Sequence, residues 1–146
     1  MRLAVDASTL VAEVLRARGR RLLADPALDL SVAADAWGET QHELRKRVAQ
    51  LVERGHVQAE PATQLLDAAL AAIAAAATVV PAEVYADRLD GARRRIPRDP
   101  RDAPTVALAL VLDCGIWTGD RDFFGCGLPV WTTETLEQQL AAGRPA

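Results

Sequence analysis

The chain has 146 residues, half of them hydrophobic and only 4% aromatic, which is the size of one ordinary domain whose core must be filled by Leu, Val and Ala. Its formal net charge of −3 excludes a protein that holds nucleic acid by bulk positive charge, so RNA binding would need a local basic patch or a bound metal. The longest apolar run, residues 68–80, is mostly Ala and falls short of the ~20 strongly apolar residues of a membrane span, so no membrane association is expected.

In chain order, residues 1–5 form a short apolar run ending at Asp6, read as a buried first strand. Asp6 or Ser8 can cap a helix over 9–18 that Gly19 would end. A brief helical piece over 20–24 stops at the turn Asp25-Pro26, and Leu28, Leu30 and Val32 alternate as a second strand. Asp35 opens a long helix to about Arg54, with an inward stripe of Trp37, Gln41 or Leu44, Val48 and Leu51, closed by Gly55. Pro61 marks the first position of an Ala-rich helix through about Ala77. A strand over 78–80 follows, then Pro81, a helix over 82–95 and a connector between Pro97 and Pro100. A helix over 103–113 with Gly115 past its end leads to a strand at 116–118 and the segment Gly119-Asp120-Arg121-Asp122. Val130-Trp131 is a last short strand, and Thr133 caps a final helix.

Strands alternating with helices predict an α/β/α sandwich with a mainly parallel sheet of four or five strands. No repeat or linker divides the chain, so residues 1–142 are expected to be one domain and 143–146 a frayed tail. Arg2 precedes only three apolar residues before Asp6, which is no signal-peptide core. Cys114 and Cys126 lack metal-type spacing and are too few for a disulfide framework. The expectation is a reduced, cytoplasmic protein with two incidental thiols.

The position of the acids is more informative than their number. In an open parallel sheet, ligands sit beyond the carboxyl ends of the strands. Asp6 follows the first strand, Asp120 follows the strand at 116–118, Asp102 stands at a helix start, and Glu39 lies in the first turns after the second strand. If these ends converge, several carboxylates crowd together, which is costly unless a cation lies between them. Hard oxygen donors of this kind suit Mg²⁺ or Mn²⁺. An ion so held can activate water and polarise a phosphodiester, and two ions about 3.5–4 Å apart can serve the attacking and leaving oxygens.

Each acid also has a plainer reading. Asp102 could simply cap its helix and Asp120 could simply make a turn. Glu39 competes with Glu43, and either could be a solvated face residue paired to Arg47. His42-Glu43-Leu44-Arg45-Lys46 lacks the second histidine of a zinc-protease helix. Asp6-Ala7-Ser8-Thr9 has Ser8 where an aspartyl-phosphate phosphatase needs its second Asp. Arg93, Arg94, Arg95, Arg98 and Arg101 are the best phosphate-binding candidates because they lead to Asp102, although a cationic helix end explains them equally well.

Four segments, LAVDASTLV, AWGETQHELRKR, RDPRDAPTVALALVL and IWTGDRDFFGCGLPVWTTETL, span most of the chain to about Leu136. Through them the chain resembles the PIN-domain ribonucleases, notably the VapC-like toxins of bacterial toxin–antitoxin pairs. The resemblance implies an acidic quartet of Asp6, Glu39, Asp102 and Asp120, with Asp122 as a fifth candidate and Ser8 and Thr118 as supporting hydroxyls. It favours Asp102 over Asp99 as the acid ahead of the Ala-Leu-Ala-Leu helix. It also implies the same α/β/α fold, a homodimer, and silencing by an antitoxin whose C-terminal segment enters the active-site groove. The expected activity is hydrolysis of RNA phosphodiesters with Mg²⁺ or Mn²⁺, Asp6 and Asp102 acting as core ligands. The alternatives are a PIN-like protein that is not a toxin, a non-catalytic RNA- or protein-binding module, or a metal-dependent DNA nuclease or phosphatase.

Overall fold

A computed structural model describes residues 1–143; the rest of the expected frayed tail, residues 144–146, lies outside the described residues. The strands are β1 (Arg2–Val5), β2 (Asp29–Ala33), β3 (Ala77–Val80), β4 (Gly115–Trp117) and β5 (Val130–Trp131). They form one sheet in the order β3-β2-β1-β4-β5, and every pairing is parallel. The helices are α1 (Ala7–Val14), α2 (Ala17–Leu23), α3 (Ala34–Glu53), α4 (Ala59–Ala76), α5 (Ala82–Tyr85), α6 (Leu89–Arg95), α7 (Ala103–Leu112) and α8 (Thr133–Ala142). The expected α/β/α sandwich is therefore present, with five strands.

The layers follow from which faces are apolar. β1 reads Leu3-Ala4-Val5 with all three residues buried, as expected of a central parallel strand covered on both sides. Helix α7 buries Ala103, Thr105, Val106, Ala107, Leu108 and Ala109, and packs on β1, β2 and β4. A helix apolar on nearly all sides belongs in the interior. A fully buried Leu such as Leu108 contributes about 1.5–3 kcal/mol of transfer free energy. Helix α3, by contrast, buries one face only, through Ala36, Thr40, Leu44 and Val48. That stripe recurs every fourth residue and keeps Leu44 and Val48 of the expected one, whereas Trp37, Gln41 and Leu51 are only half-buried.

Several boundaries differ from the sequence reading for identifiable reasons. The first helix ends at Val14, and Gly19 lies buried inside α2 rather than ending a helix. A Cβ on Gly19 would sit 2.1 Å from the Glu13 carbonyl oxygen, so this glycine permits close backbone approach. Pro61 is the third residue of α4, where its missing N–H still costs nothing because the first four amides have no intrahelical partner. The helix expected over 82–95 is broken by a 3-10 turn at Ala86–Arg88. Tyr85, just before the break, is fully buried and donates its hydroxyl to Asp35 Oδ2 at 2.7 Å, which anchors the chain there.

Asp113, at φ 50°, supplies the left-handed residue that closes α7; Gly115 instead belongs to β4. Lacking a Cβ, Gly115 admits the Trp131 indole and the Pro129 carbonyl, which would lie 3.1 and 3.0 Å from one. Helix α8 is capped by Thr132, not Thr133, in a reciprocal capping box with Thr135.

Candidate active site

The strand order creates the site. From β1 the chain steps outward through β2 to β3, then returns to place β4 on the other side of β1. The order reverses between β1 and β4, and a crevice opens beyond the carboxyl ends of the strands at such a switch point. Val5 and Trp117 are register partners, so the residues after them leave the sheet side by side. Asp6 follows one and Thr118 the other. Helices that return from one parallel strand to the next begin at the carboxyl edge; α1 and α3 start there directly after β1 and β2. Helix α7, which leads back into β4, begins with Asp102 at its N-cap.

Asp6 is buried, and its Oδ2 accepts hydrogen bonds from Ser8 Oγ and, at 3.3 Å, from Thr118 Oγ1. Although Asp6 holds the N-cap position of α1, its side chain does not cap that helix. Its carboxyl is raised above the usual range by burial, against the two hydroxyl donors, with the Asp120 charge adding to the rise. Thr118 Oγ1 also accepts from the Asp120 amide at 3.0 Å, and Asp120 Oδ1 accepts from the Asp122 amide at 2.9 Å. Thr9 completes this floor by accepting from the Gly119 amide at 3.2 Å.

Asp102 is the most perturbed acid. Its Oδ2 is buried without a hydrogen-bond partner. Burial, followed by the charges of Asp6, Asp99, Asp120 and Glu39, pushes its carboxyl up to about 7. Its side chain does not cap α7 either. Glu39, in the second turn of α3, is also raised, by burial first and then by Asp6, Asp99 and Glu43, against the lowering effect of Arg101. Asp99 is held below the usual carboxylate range by its hydrogen bonds with Arg101, which include a 2.7 Å ion pair. This separates the two aspartates: Asp99 is ion-paired with Arg101, and Asp102 has no ion pair among the described contacts.

Asp6, Glu39, Asp102 and Asp120 thus share one electrostatic neighbourhood. They do not form a finished metal cradle: among the described residues no three His, Cys, Asp or Glu side chains stand close enough to hold an ion as they are. The donor set itself fits a hard divalent cation, since it is all carboxylate oxygen and includes the unpartnered, buried Asp102 Oδ2. Asp122 lies at the margin, its Oδ1 paired with Arg98 at 3.1 Å.

The arginines divide by role. A groove of about 310 Å³ beside the acids is lined by Ser8, Glu39, Glu43, Arg47 and Arg101. A second groove on the far side of Glu39 and Arg101 includes Asp35, Arg93 and Pro104. Arg95 donates to the Cys126 carbonyl at 2.8 Å, and Arg98 is engaged with Asp122, so these two hold the loop after β4. Arg94 is an exposed residue of the last turn of α6. Arg47, which the sequence offered only as a helix-face partner for an acid, lines the first groove.

The sequence reading also missed Glu13. This buried acid accepts from Thr133 Oγ1 at 2.9 Å and lies 3.5 and 3.7 Å from the Arg18 and Arg16 guanidinium groups, while its Oε2 has no partner. Trp117 Nε1 donates to the same Thr133 hydroxyl at 3.2 Å, so a buried polar chain runs beneath the end of β4. The only sequence signal was an acid on the inward face of α1. His42 and His56 are exposed, and Cys114 and Cys126 are free and buried. No helix among the described residues is long and apolar enough to cross a membrane.

Sheet order and layering define a doubly wound sandwich with an acidic crevice at its switch point. The sequence matches the PIN domain family over residues 4–141, and the chain belongs to that family, whose members are generally nucleases. No curated protein matches the chain. Among solved structures, PAE2754 from Pyrobaculum aerophilum is similar with a TM-score of 0.67 at 22% identity, over 97% of this chain and 90% of that one. FitAcB from Neisseria gonorrhoeae is similar with a TM-score of 0.51 at 17% identity, over 92% of this chain and 99% of the other. These likenesses establish the fold.

Proposed function

We propose that the protein is a Mg²⁺- or Mn²⁺-dependent endoribonuclease and the toxin of a toxin–antitoxin pair. The observation that carries the catalytic part is Asp102: a buried carboxyl oxygen without a partner, in the field of four other acids, is a costly arrangement unless a cation offsets it. Asp6 and Asp102 would be the principal ligands, with Glu39 and Asp120 completing the site or orienting water. A divalent ion bound there would supply Lewis acidity toward the phosphodiester and lower the pKa of a water nucleophile.

The chain's own residues do the positioning. Ser8 and Thr118 hold the Asp6 carboxylate by its Oδ2 and leave Oδ1 outside that pair of bonds. Asp102 gives up the proton that its surroundings favour in the metal-free chain. Arg47, Arg93 and Arg101 line the grooves on either side of Glu39, where an RNA backbone would find its positive charge despite the acidic net balance. The toxin role, the antitoxin partner and the homodimer rest on the four segments shared with VapC-like toxins, and the cytoplasmic location on two cysteines too few for a disulfide framework, both free and buried.

The test is a set of parallel assays on RNA, single-stranded DNA and a simple phosphomonoester. RNA cleavage that needs Mg²⁺ or Mn²⁺ and is lost in excess chelator and in Asp6→Asn is expected. Undiminished cutting by Asp6→Asn or in chelator would refute the proposal, and preference for DNA or the phosphomonoester would redirect it. Inducible expression in a bacterium, wild type beside Asp6→Asn, tests toxicity: growth arrest with wild type alone is expected. One observation favours the rival, a non-catalytic PIN-like module: among the described residues no three acids stand within shared coordinating distance. Calorimetry without any Mg²⁺ or Mn²⁺ binding would favour that rival.

A further inference from the structure

Phe124 occupies an unusual place for an aromatic side chain in this protein. The chain has six aromatics. Tyr85, Trp117 and Phe123 are fully buried, Trp37 and Trp131 are half-buried, and Phe124 is 55% exposed. It exceeds every other exposed large hydrophobic residue, the next being Val84 at 48%. A lone exposed apolar residue usually needs no explanation. This one lies one short turn beyond Asp120, on a loop that is fixed rather than loose.

The loop is held at each step. The Asp120 side chain caps the 3-10 turn Arg121–Phe123, and the Phe124 amide donates to the Arg121 carbonyl at 3.0 Å. Phe123 is buried completely, which anchors the backbone beside its exposed neighbour. Gly125 and Gly127 take positive φ of 88° and 83°, and the Cys126 carbonyl between them accepts from Arg95 Nη1. The exposed Arg121 places positive charge on the same loop, and Arg98 reaches that loop through its ion pair with Asp122. An exposed ring on a fixed backbone, with an exposed arginine on the same loop and an acid proposed to cut RNA four residues before it, has the composition of a single-strand stacking site.

We propose that Phe124 is a nucleobase-stacking platform that positions single-stranded RNA beside the carboxylates, an inference that rests on the ribonuclease reading above. Phe124 is a positioning residue: it binds a base next to the scissile phosphate and takes no part in bond breaking. The ring stacks on any base face, so it adds affinity and register without selecting a sequence.

The experiment compares wild type with Phe124→Ala, Phe124→Leu and Phe124→Trp in the full chain. Fluorescence anisotropy with a labelled single-stranded RNA oligonucleotide is measured in chelator, which prevents cutting, and KM and kcat are measured with Mg²⁺. Phe124→Ala is expected to weaken RNA binding about ten-fold and to raise KM with kcat nearly unchanged. Phe124→Leu, which keeps apolar bulk without a ring, should not restore binding; Phe124→Trp should restore it, with indole fluorescence quenched on RNA addition. Wild-type affinity in Phe124→Ala, or full rescue by Leu, would overturn the stacking role while leaving the ribonuclease reading intact. Loss of binding to a protein partner with RNA binding unchanged would overturn it in favour of a protein contact. A wild type that neither binds nor cuts RNA would overturn both.

Discussion

Thr118 Oγ1 donates to Asp6 Oδ2 at 3.3 Å, joining residues 112 apart in sequence at the point where the sheet order reverses. The same hydroxyl accepts from the Asp120 amide, so one buried side chain sets both the Asp6 carboxylate and the start of the Asp120 turn. Thr118→Val keeps the shape and removes both bonds. It is expected to cost about 1–3 kcal/mol in denaturant unfolding, the penalty for leaving buried polar groups unpaired. It should also reduce RNA cleavage, and Thr118→Ser should recover most of both. Unchanged unfolding and cleavage in the Val variant would show that this hydroxyl organises nothing.

Asp102 gives the protein an unusual pH dependence. Its carboxyl sits near 7 in the folded metal-free chain against an ordinary value of 3.8, so between these values the folded state holds a proton that the unfolded state has lost. Stability at this site is therefore fully present at low pH and is lost as pH rises through about 7. Asp102→Asn cannot lose that proton. In chelator, its melting temperature should exceed that of wild type at pH 8 and match it near pH 4, by roughly the span this linkage covers. Scanning calorimetry across that range checks it; a constant difference between the two proteins would contradict the raised carboxyl. The same variant should fail to cut RNA.

Gly19→Ala tests the packing beneath the site. The added methyl would lie 2.1 Å from the Glu13 carbonyl oxygen and 2.5 Å from its Cα, both backbone atoms that move only with the helix. The expected cost is about 1–3 kcal/mol or more, typical of overpacking. It should appear as a lower urea midpoint with the slope retained. Wild-type stability would mean that the close approach of α2 to the end of α1 is not as tight as described.

The frame was legible in the sequence wherever local signals acted alone. The apolar run before Asp6, the strand ahead of Gly119-Asp120 and the largely apolar stretch after Asp102 each define an element by pattern, and β1, β4 and α7 are found there. Signals that depend on the partner surface were not legible. Gly19 looked like a helix stop because glycine usually is one, yet it serves an approach between two segments. Leu44 and Val48 mark the inward face of α3 correctly, but its first turns are misphased by Trp37, a large apolar residue that packs only partly while Ala36 and Thr40 face the core. Glu13 gave little warning beyond its place on the inward face of α1, because its partners Thr133 and Arg18 come from two other elements.

The candidate site shows the same division. The positions of Asp6, Glu39, Asp102 and Asp120 at strand and helix ends could be read from the sequence, and the family resemblance already favoured Asp102 over Asp99; the physical difference between the two, the guanidinium of Arg101 paired with Asp99, was not legible there. The five arginines ahead of and around Asp102 looked equivalent in the sequence. Arg95 and Arg98 are committed to holding the loop after β4, while Arg93 and Arg101 line the grooves.

The central claim is that these carboxylates share a divalent cation, and calorimetric titration of Mn²⁺ into the metal-free protein tests it most directly. Wild type should bind, releasing a proton to buffer near pH 6 as Asp102 is loaded, while Asp6→Asn and Asp102→Asn bind weakly or not at all. Absence of binding by wild type, or equal binding by all three proteins, would contradict the account.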